Sequence, residues 1–409
     1  LVPEAIEPDI SHALDMAKEN IEAICAQNPI AATYESTFLA FEKASDVLND
    51  GWGRLNHLDS VCDQPAQREA LGKMLPKVTE FYRLWSVIKA VGESDKMKSR
   101  SDVECRFVEE TLAYFRNSGA DLPTQGKKRV AAIETELSKL TKLYSEHVLD
   151  ATNAWEMVII DETKLAGLPA SAKVGAAANA KAKGIAAPAW RFTLQFTSMF
   201  PLMQHLHADG IRRQVWEASS QVGASGAFDN TALVWQILQL REEKAVILGY
   251  QNFADLTLLR RMAKNGATAL QFIENLHSHI RPAFLAECQQ LADYKAKKTS
   301  QQKSLLEPWE VAYWAEKQRQ ESFAFDEESL RPYFPVNGVM SGMFEIASRL
   351  FNIKISQPDT PPETWHPECA FYEIHDSTTL AHLGSFYADW HPRESKRGGA
   401  WMNSLHTGK

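Results

Sequence analysis

The fold class is indicated first by the stretch from residue 128 to residue 150, which reads KRVAAIETELSKLTKLYSEHVLD. Apolar side chains recur in it at steps of three and four residues, at Ile133, Leu137, Leu140, Tyr144 and Val148. Charged side chains fill many of the gaps between them. This spacing places the apolar side chains on one face of a helix, so the stretch predicts a long amphipathic helix.

The same period continues through most of the chain. It predicts helices over residues 9–26, 34–50, 66–92, 101–117, 229–248, 267–297, 307–322 and 337–352. Asp229 and Asn265 stand at the starts of two of these stretches, and their short polar side chains are expected to cap them. No unit repeats at a fixed period of about 20–50 residues, which argues against a regular solenoid.

Strand signals are few and clustered. Short β-rich or alternating stretches predict strands over residues 156–160, 191–196, 369–375 and 382–390. Ser377 and Thr378 are expected in the turn between the last two. Because helical stretches far outnumber these, the sequence predicts a mainly α fold with a small β-sheet.

The stretch from residue 170 to residue 188 differs in composition from the rest. Alanine, lysine and glycine dominate it, and Pro188 closes it. Alanine favours a helix, while Gly175 and Gly184 weaken one. The sequence therefore leaves two alternatives, an exposed helix or a loosely ordered connection between two strands.

Composition narrows the class of protein. The chain has 409 residues, 44% of them apolar, and a formal net charge of −8. That charge argues against a nucleic-acid partner, and no stretch approaches the roughly 20 apolar residues that span a bilayer. The five cysteines are odd in number and widely spaced, which favours free thiols in a reducing compartment. The first residues lack the basic flank and apolar run of a signal peptide, so we expect a cytoplasmic protein.

Metal and nucleophile motifs are absent from the sequence. None of the twelve histidines begins a His-Glu-x-x-His pattern, which would place two imidazoles and a carboxylate together on a helix. Two histidine pairs, His205 with His207 and His277 with His279, are separated by two positions. Both lie in stretches that read as helical, where residues two apart do not share a face. These pairs are therefore predicted to be partly exposed polar side chains rather than metal ligands.

Several segments, in order, resemble the thimet oligopeptidase family of zinc metallopeptidases. They are REEKAVILGY at 241–250, PWEVAYW at 308–314, DEESLRPYFP at 326–335, GSFYAD at 384–389 and RESKRGGAWM at 393–402. The last of these is most similar to the family's bacterial oligopeptidase A branch. Together the similar segments extend from about residue 190 to residue 402. Several motifs in the family's order form a far more specific signal than any one of them.

The resemblance implies a helical peptidase fold of two lobes that face a deep channel, in which short peptides are hydrolysed and large folded proteins are excluded. It divides the chain into an N-terminal helical lobe (1–153), part of the catalytic lobe with strands (154–228), a helical lobe wall (229–368) and the start of the catalytic-lobe strands (369–409). The family's zinc ligands, two histidines of His-Glu-x-x-His and a glutamate, lie farther along than RESKRGGAWM. They are therefore expected beyond Lys409, with no catalytic or metal-binding residue in this chain.

From the resemblance we expect an endopeptidase that needs zinc in the full-length protein, and a chain that is inactive alone. Its expected partners are short peptide substrates and the missing C-terminal catalytic part of the same protein. Gly398, Gly399, Ala400 and Trp401 are the candidate substrate-channel neighbourhood, because glycine permits close approach of another backbone. The alternative for this segment is a strand start needed only for packing. The alternative for the whole chain is a non-catalytic helical scaffold or a peptide-binding module.

Overall fold

The computed structural model describes residues 3–28, 31–79, 85–300, 302, 304–325 and 327–406. These residues are mainly helical and include two small antiparallel sheets, so the predicted fold class is confirmed. No helix in these ranges is long and apolar enough to cross a membrane.

Two compact units divide the chain. The first comprises Leu1–Val148, Gly223–His279 and Ala400–Lys409; the second comprises Leu149–Val222 and Ile280–Gly399. The division into four segments that the resemblance implies stays a prediction.

The first unit begins with a layer of helices. These are α1 (Pro3–Cys25), α2 (Ala40–Ala44), α3 (Asp46–Val61), α4 (Pro65–Thr79), α5 (Trp85–Gly92) and α6 (Asp102–Asn117), with a π-helical turn at Glu35–Leu39 and a 3₁₀ turn at Asp95–Ser99. Side chains such as Ile10, Phe38 and Leu55 are almost fully buried in their shared core. The first turn of α6 is fixed by a capping box, in which Ser101 and Glu104 bond each other's backbone N–H.

The predicted helices 9–26 and 101–117 overlap α1 and α6, but residues 51–61 of α3 lie outside every predicted helix. The stretch 34–50 was predicted as one helix, which is wrong, because the chain leaves helical geometry at the buried Ser45 (φ −105°, ψ 1°). The predicted stretch 66–92 is helical on both sides of residues 80–84, as α4 and α5, and residues 80–84 lie outside the described part of the chain.

The first unit also contains most of α7 (Thr124–Ala154), α11 (Thr231–Ile247), α12 (Phe253–Leu258) and the start of α13 (Gly266–Thr299). The first three members of the predicted α7 stripe, Ile133, Leu137 and Leu140, are buried and pack with Ile237 of α11. Tyr144 is 40% exposed and Val148 is partly buried, so the stripe is confirmed only over its first half. The predicted cap at Asn265 is confirmed, since its side chain accepts from Thr268 N. At α11 the N-cap position is Asn230, and Asp229, one residue earlier, accepts from Thr231 N, the first N–H of the helix.

The second unit starts with the strands β1 (Glu156–Ile159) and β2 (Trp190–Thr193), which pair antiparallel with Glu156 opposite Thr193. The alanine-rich stretch between them forms helix α8 (Ala170–Ala182), which confirms the helical alternative. It is exposed only in part, because the small side chains of Ala176 and Ala180 are buried. Strand β2 ends earlier than predicted, since Phe196 already begins a helix.

The rest of the second unit includes further helices and a three-stranded sheet. Its elements are α9 (Phe196–His205), α10 (Asp209–Ser220), α14 (Pro308–Phe323), α15 (Val336–Phe351), β3 (Ile353–Ser356), β4 (Ala370–Asp376) and β5 (His382–Ala388). The sheet order is β3-β4-β5, antiparallel throughout. Phe344 of α15 packs on Tyr372 and Phe386, which lie on one face of the sheet. Ser377 and Thr378 lie in the β4–β5 turn, as predicted.

The two histidine pairs have different settings. His277 and His279 lie within α13, as the sequence indicates. For the other pair the helical assignment is wrong, because α9 ends at His205 and His207 lies outside it. The backbone N–H of His207 instead donates to the carbonyl of Ala166, at 2.9 Å.

Candidate functional site

The segment that precedes the candidate channel residues is held by one carboxylate. Asp389 directly follows β5, so its side chain lies where that strand leaves the sheet. Its Oδ1 and Oδ2 accept hydrogen bonds from the two terminal nitrogens of Arg393, at 2.8 and 2.7 Å. Both side chains are about nine-tenths buried. A bidentate pair of this kind fixes the orientation of both groups as well as their distance.

Two further side chains converge on Asp389. The Nζ of Lys396 lies 3.2 Å from Oδ1 and also donates to the backbone carbonyl of Asp389, at 2.7 Å. The indole Nε1 of Trp365, in the connection between β3 and β4, donates to Oδ2 at 2.9 Å. Asp389 thus ties the segment after β5 to the connection before β4.

Charge and burial compete at this carboxylate. Burial would raise the pKa of Asp389, but hydrogen bonds from Arg393, Trp365 and Lys396 outweigh it and hold the pKa well below its usual range. The thiol of Cys369 is 7% exposed, and burial, together with the charge of Asp389, raises its pKa to about 11. The carboxylate is therefore ionised and the thiol protonated at neutral pH.

A second ionic group holds the same segment from the side of the two-stranded sheet. Arg191 of β2 is 3% exposed. Its guanidinium donates to Glu156 of β1 (2.6 Å), to Asn179 of α8 (2.9 Å) and to Glu394 (3.3 Å). Lys183 donates to the other oxygen of Glu394, at 2.8 Å. A buried arginine requires such partners, because an unpaired charge away from water is costly.

The backbone of the segment is bound as well. The side chain of Asn153 donates to the carbonyl of Glu394 at 2.7 Å, and that of Gln195 donates to the carbonyl of Arg393 at 3.2 Å. Side chains and backbone of residues 389–396, hereafter the anchored loop, are therefore both fixed within the second unit.

Gly398 and Gly399 follow the anchored loop and are exposed. A Cβ atom added to either would meet no atom within 4 Å, so neighbouring protein atoms do not require glycine there. Gly399 has φ +93°, a conformation that residues with side chains rarely adopt. The pair thus presents bare backbone on an open surface, and only Gly399 has a conformational reason to be glycine.

Ala400 and Trp401 belong to the first unit. The half-buried indole of Trp401 contacts the imidazole of His57 edge-on, with ring centroids 5.7 Å apart. The side chain of Asn403 lies 3.4 Å from Nδ1 of His57. Ala400 is exposed. A joint role of these two residues with Gly398 and Gly399 in a substrate channel stays a prediction.

Zinc does not fit the residues present. Across the described part of the chain, no group of three or more histidine, cysteine, aspartate or glutamate side chains could hold a metal ion. His277 and His279 project from different faces of one helix, since residues two apart on a helix do not face each other.

Sequence reasoning found the segment but not its anchors. Asp389 and Arg393 stand within the family-like motifs, four positions apart, yet nothing local marks them as a buried pair. The pairing of Arg191 with Glu394 has no local signal, because the two residues are 203 positions apart. A charged residue facing the buried side of a predicted strand is the signal that could have identified Arg191.

Comparison with known families agrees with this fold. Residues 10–129 match the profile "Neurolysin/Thimet oligopeptidase, N-terminal domain", and residues 202–409 match the profile "Peptidase family M3". The second match covers half of the chain. The chain therefore belongs to peptidase family M3, a family of hydrolases that cleave peptide bonds.

Among curated proteins the chain is similar to oligopeptidase A of Escherichia coli, with 33% identity over 98% of this chain and 60% of that protein. The Haemophilus influenzae oligopeptidase A is 34% identical over 98% and 60%. The Arabidopsis thaliana protein named "Probable cytosolic oligopeptidase A" is 32% identical over 98% and 58%. The chain thus spans about three-fifths of the length of these relatives.

Proposed function

We propose that the full-length protein containing this chain is a zinc-dependent endopeptidase that hydrolyses short peptides inside a deep channel. The observation that carries the proposal is the pair of family matches, which occur in the family's order and together span most of the chain. Similarity to proteins named oligopeptidase A favours peptides over folded proteins as substrates.

The zinc would be held by residues outside this sequence, since the described residues offer no set of ligands for it. When bound in a peptidase, zinc polarises a carbonyl and lowers the pKa of water. The role of this chain would be to bind and orient the peptide, with Gly398, Gly399, Ala400 and Trp401 in the neighbourhood of the channel. The chain alone would then be inactive.

An uncovered helix face supports a further part of the protein as partner. Along α15, one stripe at steps of three and four residues is 47–70% exposed: Val336, Val339, Met343, Ile346 and Leu350. Contiguous exposed apolar surface of this kind marks an interaction site. We propose that the segments present in the longer relatives cover this stripe. No nucleic acid or membrane partner is proposed.

Hydrolysis of a short quenched fluorescent peptide tests the activity. The full-length protein should cleave it, lose activity with a chelator, regain it with zinc, and leave a stably folded protein intact. This chain alone should show no hydrolysis that chelator removes. Peptide binding by the full-length protein without any cleavage would favour the peptide-binding module, and neither binding nor cleavage would favour the scaffold.

We further propose a cytoplasmic location. The five cysteines are free thiols, as expected where glutathione keeps thiols reduced, and one similar protein carries the name cytosolic. Fractionation of cells that express the full-length protein tests this, and recovery in an organelle or outside the cell would contradict it.

A further inference from the structure

The anchored loop is held to the second unit by several ionic bonds. Two carboxylates of the loop, Asp389 at its start and Glu394 farther along, each bind two cationic partners. Loops usually lie on the surface and are more mobile than the elements they connect, and binding residues are often on loops that a rigid scaffold positions. Directly after this loop the chain reaches Gly398 and Gly399, where no side chain covers the backbone.

We propose that Asp389 is a positioning residue, which sets the path of Gly398 and Gly399 so that their exposed backbone binds the peptide substrate. The inference rests on the proposed peptidase function. Asp389 acts through Arg393 and Lys396, which lie between it and the glycines, and it does not itself touch the substrate.

The chemistry of the contacts explains why a carboxylate is needed. Only an ionised carboxylate can accept both guanidinium nitrogens of Arg393 while also facing the ammonium of Lys396. The amide of an asparagine has one acceptor oxygen, and its NH₂ group would point at a cation. Lys396 is in addition bonded to the carbonyl of Asp389, so its ammonium closes the loop onto the end of β5.

The substitution Asp389→Asn in the full-length protein tests the proposal. Without the carboxylate, the glycine pair should be correctly placed for only about one tenth of the time, and apparent affinity falls by that fraction. We expect KM for the short peptide to rise about tenfold with kcat changed less than about twofold, because uniform binding is lost. Trypsin should also cleave faster after Lys396 and Arg397 under native conditions, as mapped by mass spectrometry.

Glu310→Gln is the matched control. Glu310 is also a buried carboxylate of the second unit, paired with Lys295 at 2.7 Å in α14 and α13. This variant should lose stability without a change in KM or in cleavage after Lys396. A shift of KM in both variants would show a general effect of destabilisation and overturn the positioning role.

The outcomes separate the two proposals. If the wild-type protein cleaves peptide but Asp389→Asn leaves KM unchanged, the inference is wrong and the proposed function stands. Faster trypsin cleavage with an unchanged KM also refutes it, since the loop would then be ordered for packing alone. If the wild type cleaves no peptide, the proposed function fails, and binding of the same peptide, measured by fluorescence anisotropy, decides the inference in place of KM.

Discussion

Gly167 gives a sharp test of the packing in the second unit. Its φ is +90°, and a Cβ atom there would lie 2.6 Å from Nε2 of His207 and closer still to the backbone oxygen of His205. The neighbouring Leu165 and Leu206 are fully buried. The substitution Gly167→Ala must therefore move backbone within the core, because the nearest obstacle is a carbonyl rather than a flexible side-chain end.

The expected loss has three parts. A residue with a side chain in the left-handed region costs about 1–2 kcal/mol. Separating the two backbone segments breaks the 2.9 Å hydrogen bond from His207 N to Ala166 O, which contributes about 1 kcal/mol. Displacing packed groups adds about 1–3 kcal/mol, as overpacking does in other cores. We expect Gly167→Ala to lower the free energy of unfolding by about 3–6 kcal/mol.

Substitutions at two other glycines of the second unit measure the backbone contribution apart from the packing contribution. Gly184 has φ +72° but open space around it, so Gly184→Ala should cost only the backbone part, about 1–2 kcal/mol. Gly175 lies inside α8 with open space and no positive φ, so Gly175→Ala should stabilise by about 0.5–1 kcal/mol. Urea unfolding followed by circular dichroism ranks the three variants against the wild type.

The order of the losses in free energy of unfolding among these variants decides whether the reasoning about Gly167 is correct. Equal losses for Gly167→Ala and Gly184→Ala would show that the contact of Gly167 with His205 and His207 does not exist in the protein. A loss at Gly167 below about 2 kcal/mol would lead to the same conclusion, because the backbone part alone reaches that value.

Three further predictions concern charged and nucleophilic groups. Arg191→Lys should lower the free energy of unfolding by about 1–3 kcal/mol in urea melts, because one ammonium cannot reach all three partners of the guanidinium; an unchanged midpoint would contradict the buried network. The folded-state pKa of Asp389 lies below its unfolded value, so the ionised carboxylate stabilises the folded protein fully above about pH 5. This contribution is lost as the pH falls through the unfolded pKa towards the folded one. Unfolding midpoints measured at high and low pH should therefore differ less in Asp389→Asn than in the wild type. The buried Cys369, with its pKa raised to about 11, should react with a thiol reagent at mildly alkaline pH far more slowly than the exposed Cys25, and equal labelling in mass spectra would refute its burial.

Periodicity predicted the helices well where one face of a helix is buried. The stripe of α7 is such a case, since Ile133, Leu137 and Leu140 are all buried against α11. The cap at Asn265 and the side chain of Asp229 at the start of α11 were also predictable, because bonds at a helix start join residues within three positions of each other. Local signals of this kind need no knowledge of the tertiary structure.

Other boundaries of helices and strands depend on residues that are distant in the sequence, so the local pattern did not predict them. The break at Ser45 occurs in a stretch whose apolar period continues across it, so the period alone extends the helix. Phe196 alternates with its neighbours as a strand residue would, yet it begins α9, and Ser198 of that helix accepts from the backbone N–H of Thr193. Tertiary context overrides a short alternating pattern in such places.

The candidate site shows the same limit at longer range. The resemblance located RESKRGGAWM because the order of its letters is distinctive, but the letters do not reveal what holds the segment. Its anchors are Arg191 and Asn153, which bond Glu394, and Trp365, which bonds Asp389 just before the motif; all three are separated from it along the chain. The position of Gly398 and Gly399 is therefore a property of the folded second unit as a whole, and a change in a distant anchor should alter it as surely as a change in the motif.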